Sequence, residues 1–220
     1  MKRCEKLDLN GLKKRFEILD ASSASQMEGR AWYVNPDDGS VLGQLGSSNE
    51  IRFLSATEFG YYQHYQVQKD DAGTSFANAS DEAQSYFLKQ FLPSGYSGAI
   101  EKNYNQAVVG AMAWTVTNGN FDKFQYNPTD PIFNDFNNFK NTMAHENAHL
   151  MGHHTTDNPN NEISAINAQI NHSSYADVSF DYKKRVGDYL FQQWKDLKID
   201  KTPGHSLHDA YVISGYQLGP

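Results

Sequence analysis

The stretch Thr142-Met-Ala-His-Glu-Asn-Ala-His-Leu-Met-Gly-His-His154 decides how the rest of the chain is read. Within it lies His145-Glu146-x-x-His149, a pattern whose chemistry depends on helical spacing. In a helix, residues four apart share one face about one turn apart, so both imidazoles can reach a single zinc ion. Glu146 then projects beside them, placed to act as general base toward a metal-bound water. The flanking sequence favours a helix. Residues Phe133 to Ala148 contain no Gly or Pro, and Phe136, Phe139, Met143 and Ala144 carry the spacing of an amphipathic helix. Upstream, Asp130-Pro131 offers a cap and a first-turn proline; downstream, Gly152 offers a stop.

Catalytic zinc needs a third protein ligand and one open position. If the pattern continued as H-E-x-x-H-x-x-G-x-x-H/D, that ligand would stand where the chain has Thr155. His153 and His154 come one or two residues early, and Asp157 comes two late. The same extended pattern expects a methionine in a later turn, and residues 152–220 contain none. A carboxylate from the next helix is the better source. The run Asn160-Asn-Glu-Ile-Ser-Ala-Ile-Asn-Ala-Gln-Ile170 has Asn available as a cap and Ile163, Ile166 and Ile170 on one side. It follows the turn Asp157-Asn158-Pro159 and places Glu162 in its first turn, on the face shared with small Ala165, so that two helices can approach closely. A first-turn glutamate also complements the helix dipole without any metal. His153, His154 and Asp157 therefore stay open as alternative ligands.

His145-Glu146-x-x-His149 followed by Asn161-Glu162-x-x-Ala165-x-x-x-Gln169 resembles the gluzincin branch of the zincin metallopeptidases. More loosely, residues 161–169 are similar to metallopeptidase domains of bacterial polymorphic toxins and secreted effectors. The resemblance covers residues 141–171. It implies an α+β, zincin-like fold, with a twisted, mostly antiparallel sheet packed on the active-site helix; the periodicity farther along adds a helical C-terminal part. The function expected from the resemblance is a zinc-dependent metallopeptidase acting on a protein or peptide, and the looser similarity implies a bacterial effector or toxin. In it His145, His149 and Glu162 hold Zn2+, and Glu146 takes a proton from the attacking water and passes it to the leaving amine. His172, Tyr175, Tyr182, His205 and Tyr211 are candidates for stabilising the oxyanion, and Asn147, Asn161 and Asp157 for supporting the ligand imidazoles. The alternative is a noncatalytic zincin-like domain kept for binding or structure.

At 220 residues, with 39% hydrophobic and 13% aromatic side chains, the chain is long enough to bury a core. No apolar run approaches the roughly 20 residues of a membrane helix. A net charge of −7 opposes a nucleic-acid or anionic-membrane partner through long-range repulsion. Cys4 is the single cysteine, so no intramolecular disulfide forms. Met1 to Lys6 is cationic but lacks a following apolar segment. No classical signal peptide is read there, and the expectation is a cytoplasmic protein or one exported by a non-classical route. Oligomeric state is left open by the sequence.

Residues 1–28 read as an N-terminal helical arm carrying Leu7, Leu9, Leu12, Phe16 and Leu19, with 21–26 as a linker, and 29–220 as one domain. Arg30–Val34, Val41–Leu45 and Glu50–Leu54 are expected to form a three-stranded meander. Thr57–Tyr65 can be helical despite Gly60, and Asp70–Ala79 reads as a polar loop. Ser80 caps a helix that reaches Phe91 before Pro93. Gln106–Thr117 is read as a central core strand, with a substrate-holding sheet edge as the alternative. Asp181–Lys198 carries an apolar stripe of Tyr182, Val186, Leu190, Trp194 and Leu197. Ala210–Ile213 is expected to be a short strand, and His205 with His208 a minor candidate for a second metal contact.

Overall fold

Aromatic and β-branched residues separated by Asn, Asp, Gly and Ser form strands in the first third of the chain, but burial pairs them differently from a meander. The computed structural model describes residues 31–45, 48–65, 72–104, 112–117, 120–154, 156, 158–198 and 205–216. The expected N-terminal arm and linker, Cys4, Thr155 and Asp157 lie outside these residues. Strand β1 (Ala31–Val34) pairs antiparallel with β2 (Val41–Leu45) and parallel with β3 (Glu50–Phe53). A short β4 (Thr74–Ser75) adds antiparallel to β3, giving the order β2-β1-β3-β4. Ala31, Tyr33, Val34, Ile51 and Phe53 are buried, so β1 and β3 occupy the centre; β2, with Val41 and Gln44 exposed, takes an edge. The Arg52 guanidinium donates to the Ala72 and Gly73 carbonyls and fixes the chain entering β4. The stretch expected as a polar loop thus contains β4 and a 3-10 turn, Phe76–Asn78, that buries Phe76.

The second sheet has the order β5-β7-β6, with β5 (Ala99–Lys102) parallel to β7 (Asn120–Tyr126) and β6 (Met112–Thr117) antiparallel to it. Among the described residues β6 is therefore an edge strand. The central position expected from its apolar run belongs to β7, which buries Phe124 and Tyr126. Both sheets are mixed, and the class is α+β.

Six α-helices are described: α1 (Ala56–Tyr65), α2 (Asp81–Lys89), α3 (Phe136–Met151), α4 (Pro159–Asn171), α5 (Phe180–Asp196) and α6 (Leu207–Ile213). Ser80 caps α2 by accepting from the Ala83 N–H, as expected. Asp130-Pro131 starts a separate 3-10 turn, Pro131–Asn134, rather than α3. The cap of α3 is Asp135, whose carboxylate accepts from the N–H groups of Asn137 and Asn138. The strand expected at 210–213 is helical instead. Ser206 and Asp209 form a reciprocal capping box there, and this outweighs the β-propensity of Tyr-Val-Ile. No described helix is long and apolar enough to cross a membrane.

The main core centres on an aromatic cluster contributed by β3, α2, α3, β7 and the 3-10 turns Phe76–Asn78 and Pro131–Asn134. Phe139 is fully buried there, its ring 4.9 Å from Phe87 and 4.9 Å from Phe91, while Phe76 stacks on Phe133 at 3.9 Å. Phe139 anchors α3, so it ties the site helix to the rest of the fold. Truncation Phe139→Ala is expected to lower the unfolding free energy by about 3–5 kcal/mol in urea titrations, whereas exposed Tyr61→Ala changes it by about 0.5 kcal/mol or less.

Candidate metal centre

Helix α3 buries two different faces. Phe136, Phe139 and Met143, spaced i, i+3, i+7, meet the aromatic core. Asn138, Asn141 and His145, with the same spacing, are also buried but face hydrogen-bonding partners. The Asn138 side chain bonds both the hydroxyl and the backbone N–H of Ser179, ahead of α5. Asn141 donates from Nδ2 to the Gln169 carbonyl on α4 and to Ser174 Oγ, each at 3.0 Å. One residue on, Thr142 Oγ1 lies 2.7 Å from the Tyr182 hydroxyl, which also accepts from Gln169 Nε2 at 2.7 Å. These contacts fix the rotation of α3 and aim His145 and His149 at α4.

Glu162 completes the group from the first turn of α4. Asn158 is the cap of that helix, accepting from the Asn161 N–H, with Pro159 in its first turn. Ala165 is fully buried one turn beyond Glu162, consistent with the close approach expected of a small residue. His145 Nε2 and His149 Nε2 are 3.1 Å apart. Each also lies 3.4 Å from a Glu162 oxygen, His145 from Oε2 and His149 from Oε1. Ligands about 2.0–2.2 Å from a tetrahedral ion stand about 3.3–3.6 Å from one another, so these separations are close to those a bound ion would impose. One ligand atom from each of the three residues falls within a 4.8 Å span, and no other such group occurs among the described residues. The three side chains could hold a metal ion.

Two carboxylates at this site are driven in opposite directions. Burial pushes the Glu162 carboxyl up, but hydrogen bonds from His145, His149 and Tyr189 outweigh it and hold the group well below the usual carboxylate range. Glu146 is raised well above its ordinary value, first by burial and then by the negative charge of Glu162. The Tyr189 hydroxyl donates to Glu162 Oε2 at 2.7 Å, and its ring centroid lies 6.2 Å from that of His145. Sequence reading assigned no role to Tyr189. Its position seven residues after Tyr182 and three after Val186 nevertheless puts it near the buried stripe of α5.

The other candidates separate. His153 is exposed, and His154 meets His149 at Nδ1, away from the Nε2 that faces Glu162. Asn147 donates to the Phe91 carbonyl and Asn161 to the Thr156 carbonyl, so neither supports an imidazole through these bonds. Tyr175 donates to the Ser214 carbonyl and Tyr211 to Asp188, both away from the histidine pair. His172 caps the 3-10 turn Ser173–Asp177, and His205 packs edge-on against Trp194. Burial first, and the Glu146 charge among lesser causes, raise the Tyr182 hydroxyl. On the sheet side, the Trp114 indole N–H donates to the Glu146 carbonyl at 2.8 Å and joins β6 to α3.

No family model, curated protein or solved structure matches the chain.

In metal-free protein the raised Glu146 means that the folded state keeps a proton at pH values where the unfolded chain, with a glutamate near 4.3, has released it. Stability through this group therefore falls as pH rises above about 4.3. Glu162 has the opposite sign: it contributes stability above that pH and loses it as pH falls. Metal-free Glu146→Gln should melt at a higher temperature than wild type at pH 7, with the difference shrinking toward pH 4. Glu162→Gln should melt lower than wild type at pH 7. Calorimetry of the three proteins across this range checks both signs.

Proposed function

We propose that the protein is a zinc-dependent metallopeptidase, with His145, His149 and Glu162 as the metal ligands and Glu146 as the general base. The convergence of two imidazole nitrogens and a buried carboxylate within 3.4 Å of one another's nearest atoms is the observation that supports this reading. Two nitrogens and one oxygen form a donor set suited to zinc, and three protein ligands leave a position open for reaction. Zinc, when bound there, supplies Lewis-acid polarisation and brings the pKa of a coordinated water near 7.

The chain's own residues supply the rest. His145 and His149 hold their nitrogens in place because α3 is clamped on both faces. Glu146 follows His145 directly and is buried beside the site, so its carboxylate can accept a proton from water and return it to the leaving amine. Tyr189 restrains Glu162 through its hydroxyl. The edge position of β6, tied to α3 through Trp114, suits an extended peptide held by main-chain hydrogen bonds. This arrangement supports a protein or peptide substrate, and the negative net charge argues against nucleic acid. A zincin-like fold belongs to the same proposal, as does the effector or toxin role suggested by Asn161-Glu162-x-x-Ala165-x-x-x-Gln169.

The test combines zinc analysis with hydrolysis of a fluorescent casein substrate. Wild type should carry one zinc per chain, lose activity to a chelator and regain it with added zinc. Glu146→Gln should keep zinc while its turnover falls about 10²–10⁴-fold. Glu162→Ala should bind zinc more weakly by at least about 100-fold. Wild-type protein that takes up no zinc after reconstitution would overturn the proposal. Tight zinc binding with no hydrolysis of any protein substrate would point instead to a noncatalytic domain.

A further inference from the structure

The His153-His154 doublet is accounted for by neither the ligand set nor the base. Helix α3 ends at Met151, and the backbone beyond it closes as a Schellman turn. His153 adopts a left-handed φ of 52°. Its N–H donates to the Leu150 carbonyl at 3.1 Å, and the His154 N–H donates to the His149 carbonyl at 2.8 Å. That last bond folds His154 back over His149, and the side chains meet as well: His154 Nδ1 lies 3.4 Å from His149 Nδ1. Gly152 makes room for the contact, because a Cβ there would stand 2.5 Å from His154 Nε2.

We propose that His154 is a positioning residue: when a metal occupies His149 Nε2, His154 Nδ1 accepts the hydrogen bond that His149 Nδ1 then donates, and so holds that imidazole aimed at the ion. The inference rests on the metal-centre reading for its function, but the contact itself belongs to the metal-free chain. A neutral imidazole that ligates through Nε2 must carry its proton on Nδ1, and free imidazole side chains favour the other tautomer. An acceptor fixed at Nδ1 favours the ligating tautomer once a metal takes Nε2, and it also holds the ring plane. Ligand histidines are commonly supported in this way by a carboxylate or a backbone carbonyl. Here the acceptor is a second imidazole, delivered by the turn that ends the ligand's own helix. Gly152, His153 and His154 thus act together: the first leaves space, the second reverses the chain, and the third meets the ligand.

Two readouts test this on the full chain. Nitrogen and proton NMR of the zinc-loaded protein should find the His149 Nδ1 proton shifted downfield and protected from exchange by its hydrogen bond. In His154→Phe, which fills the space without an acceptor, that shift and protection should be lost. Zinc affinity, read by competition with a chromophoric chelator, should weaken about 10–100-fold in the same variant. His154→Asn, whose side-chain oxygen can accept, should recover part of both effects, and Gly152→Ala should reproduce the loss by displacing the ring. A wild-type, zinc-loaded His149 Nδ1 proton with no such shift or protection would overturn the proposal. So would His154→Phe with unchanged circular dichroism, Nδ1 proton and zinc affinity. Zinc uptake by wild type checks the metal centre separately, so failure of the centre and failure of this contact are told apart.

Discussion

Burial of α3 on two unlike faces is the constraint on which the site depends. An amphipathic helix with only an apolar stripe could rotate somewhat against its core at modest cost. In α3 the second buried face is built from directional bonds: Asn138 to Ser179, Asn141 to Gln169 and Ser174, and Thr142 with Tyr182. Rotation or sliding would strip partners from buried polar groups, each costing about 1–3 kcal/mol. The aromatic face sets how deeply the helix sits, and the polar face sets its angle. His145 and His149 continue the line of Asn138 and Asn141, so their orientation follows from bonds made one to three turns earlier.

Electrostatics at the site then divides the carboxylates by environment. Glu162 receives three hydrogen-bond donors and stays charged despite its burial, as a ligand must. Glu146 is buried beside that charge and is driven toward its protonated form in the metal-free chain. A cation between the histidines and Glu162 would relieve this cost, because opposite charge favours the ionised form. The same arrangement therefore disfavours an empty site. Similar separation of two neighbouring carboxyl groups by their surroundings is how acid and base roles are commonly divided.

The parts legible in the sequence were those fixed by local periodicity. The spacing of His145 and His149, the small Ala165 beside Glu162, the Ser80 cap and the apolar stripe of α5 all concern residues within one element or two successive ones. Pairings between distant strands were not legible. The parallel contact of β1 with β3 depends on which strands bury Tyr33, Val34 and Ile51 against the core, and no turn signal encodes it. The same holds for the edge position of β6, whose apolar run suggests a centre that β7 occupies. Asp135 was hidden by the stronger-looking Asp130-Pro131, which caps a 3-10 turn instead. Tyr189 was missed because an apolar stripe reads as packing, although one hydroxyl on its margin reaches Glu162. Asn138 and Asn141 carried a usable signal: polar residues at i, i+3 and i+7 with His145 mark a second buried face.

The central claim is that two histidines from α3 and one carboxylate from α4 form a single metal-binding face. X-ray absorption at the zinc edge of the reconstituted protein tests it most directly. The account predicts two imidazole nitrogens and a carboxylate oxygen at about 2.0–2.2 Å, with the carboxylate contribution lost in Glu162→Ala. A coordination shell with three imidazoles, or one unchanged by removal of Glu162, would contradict it.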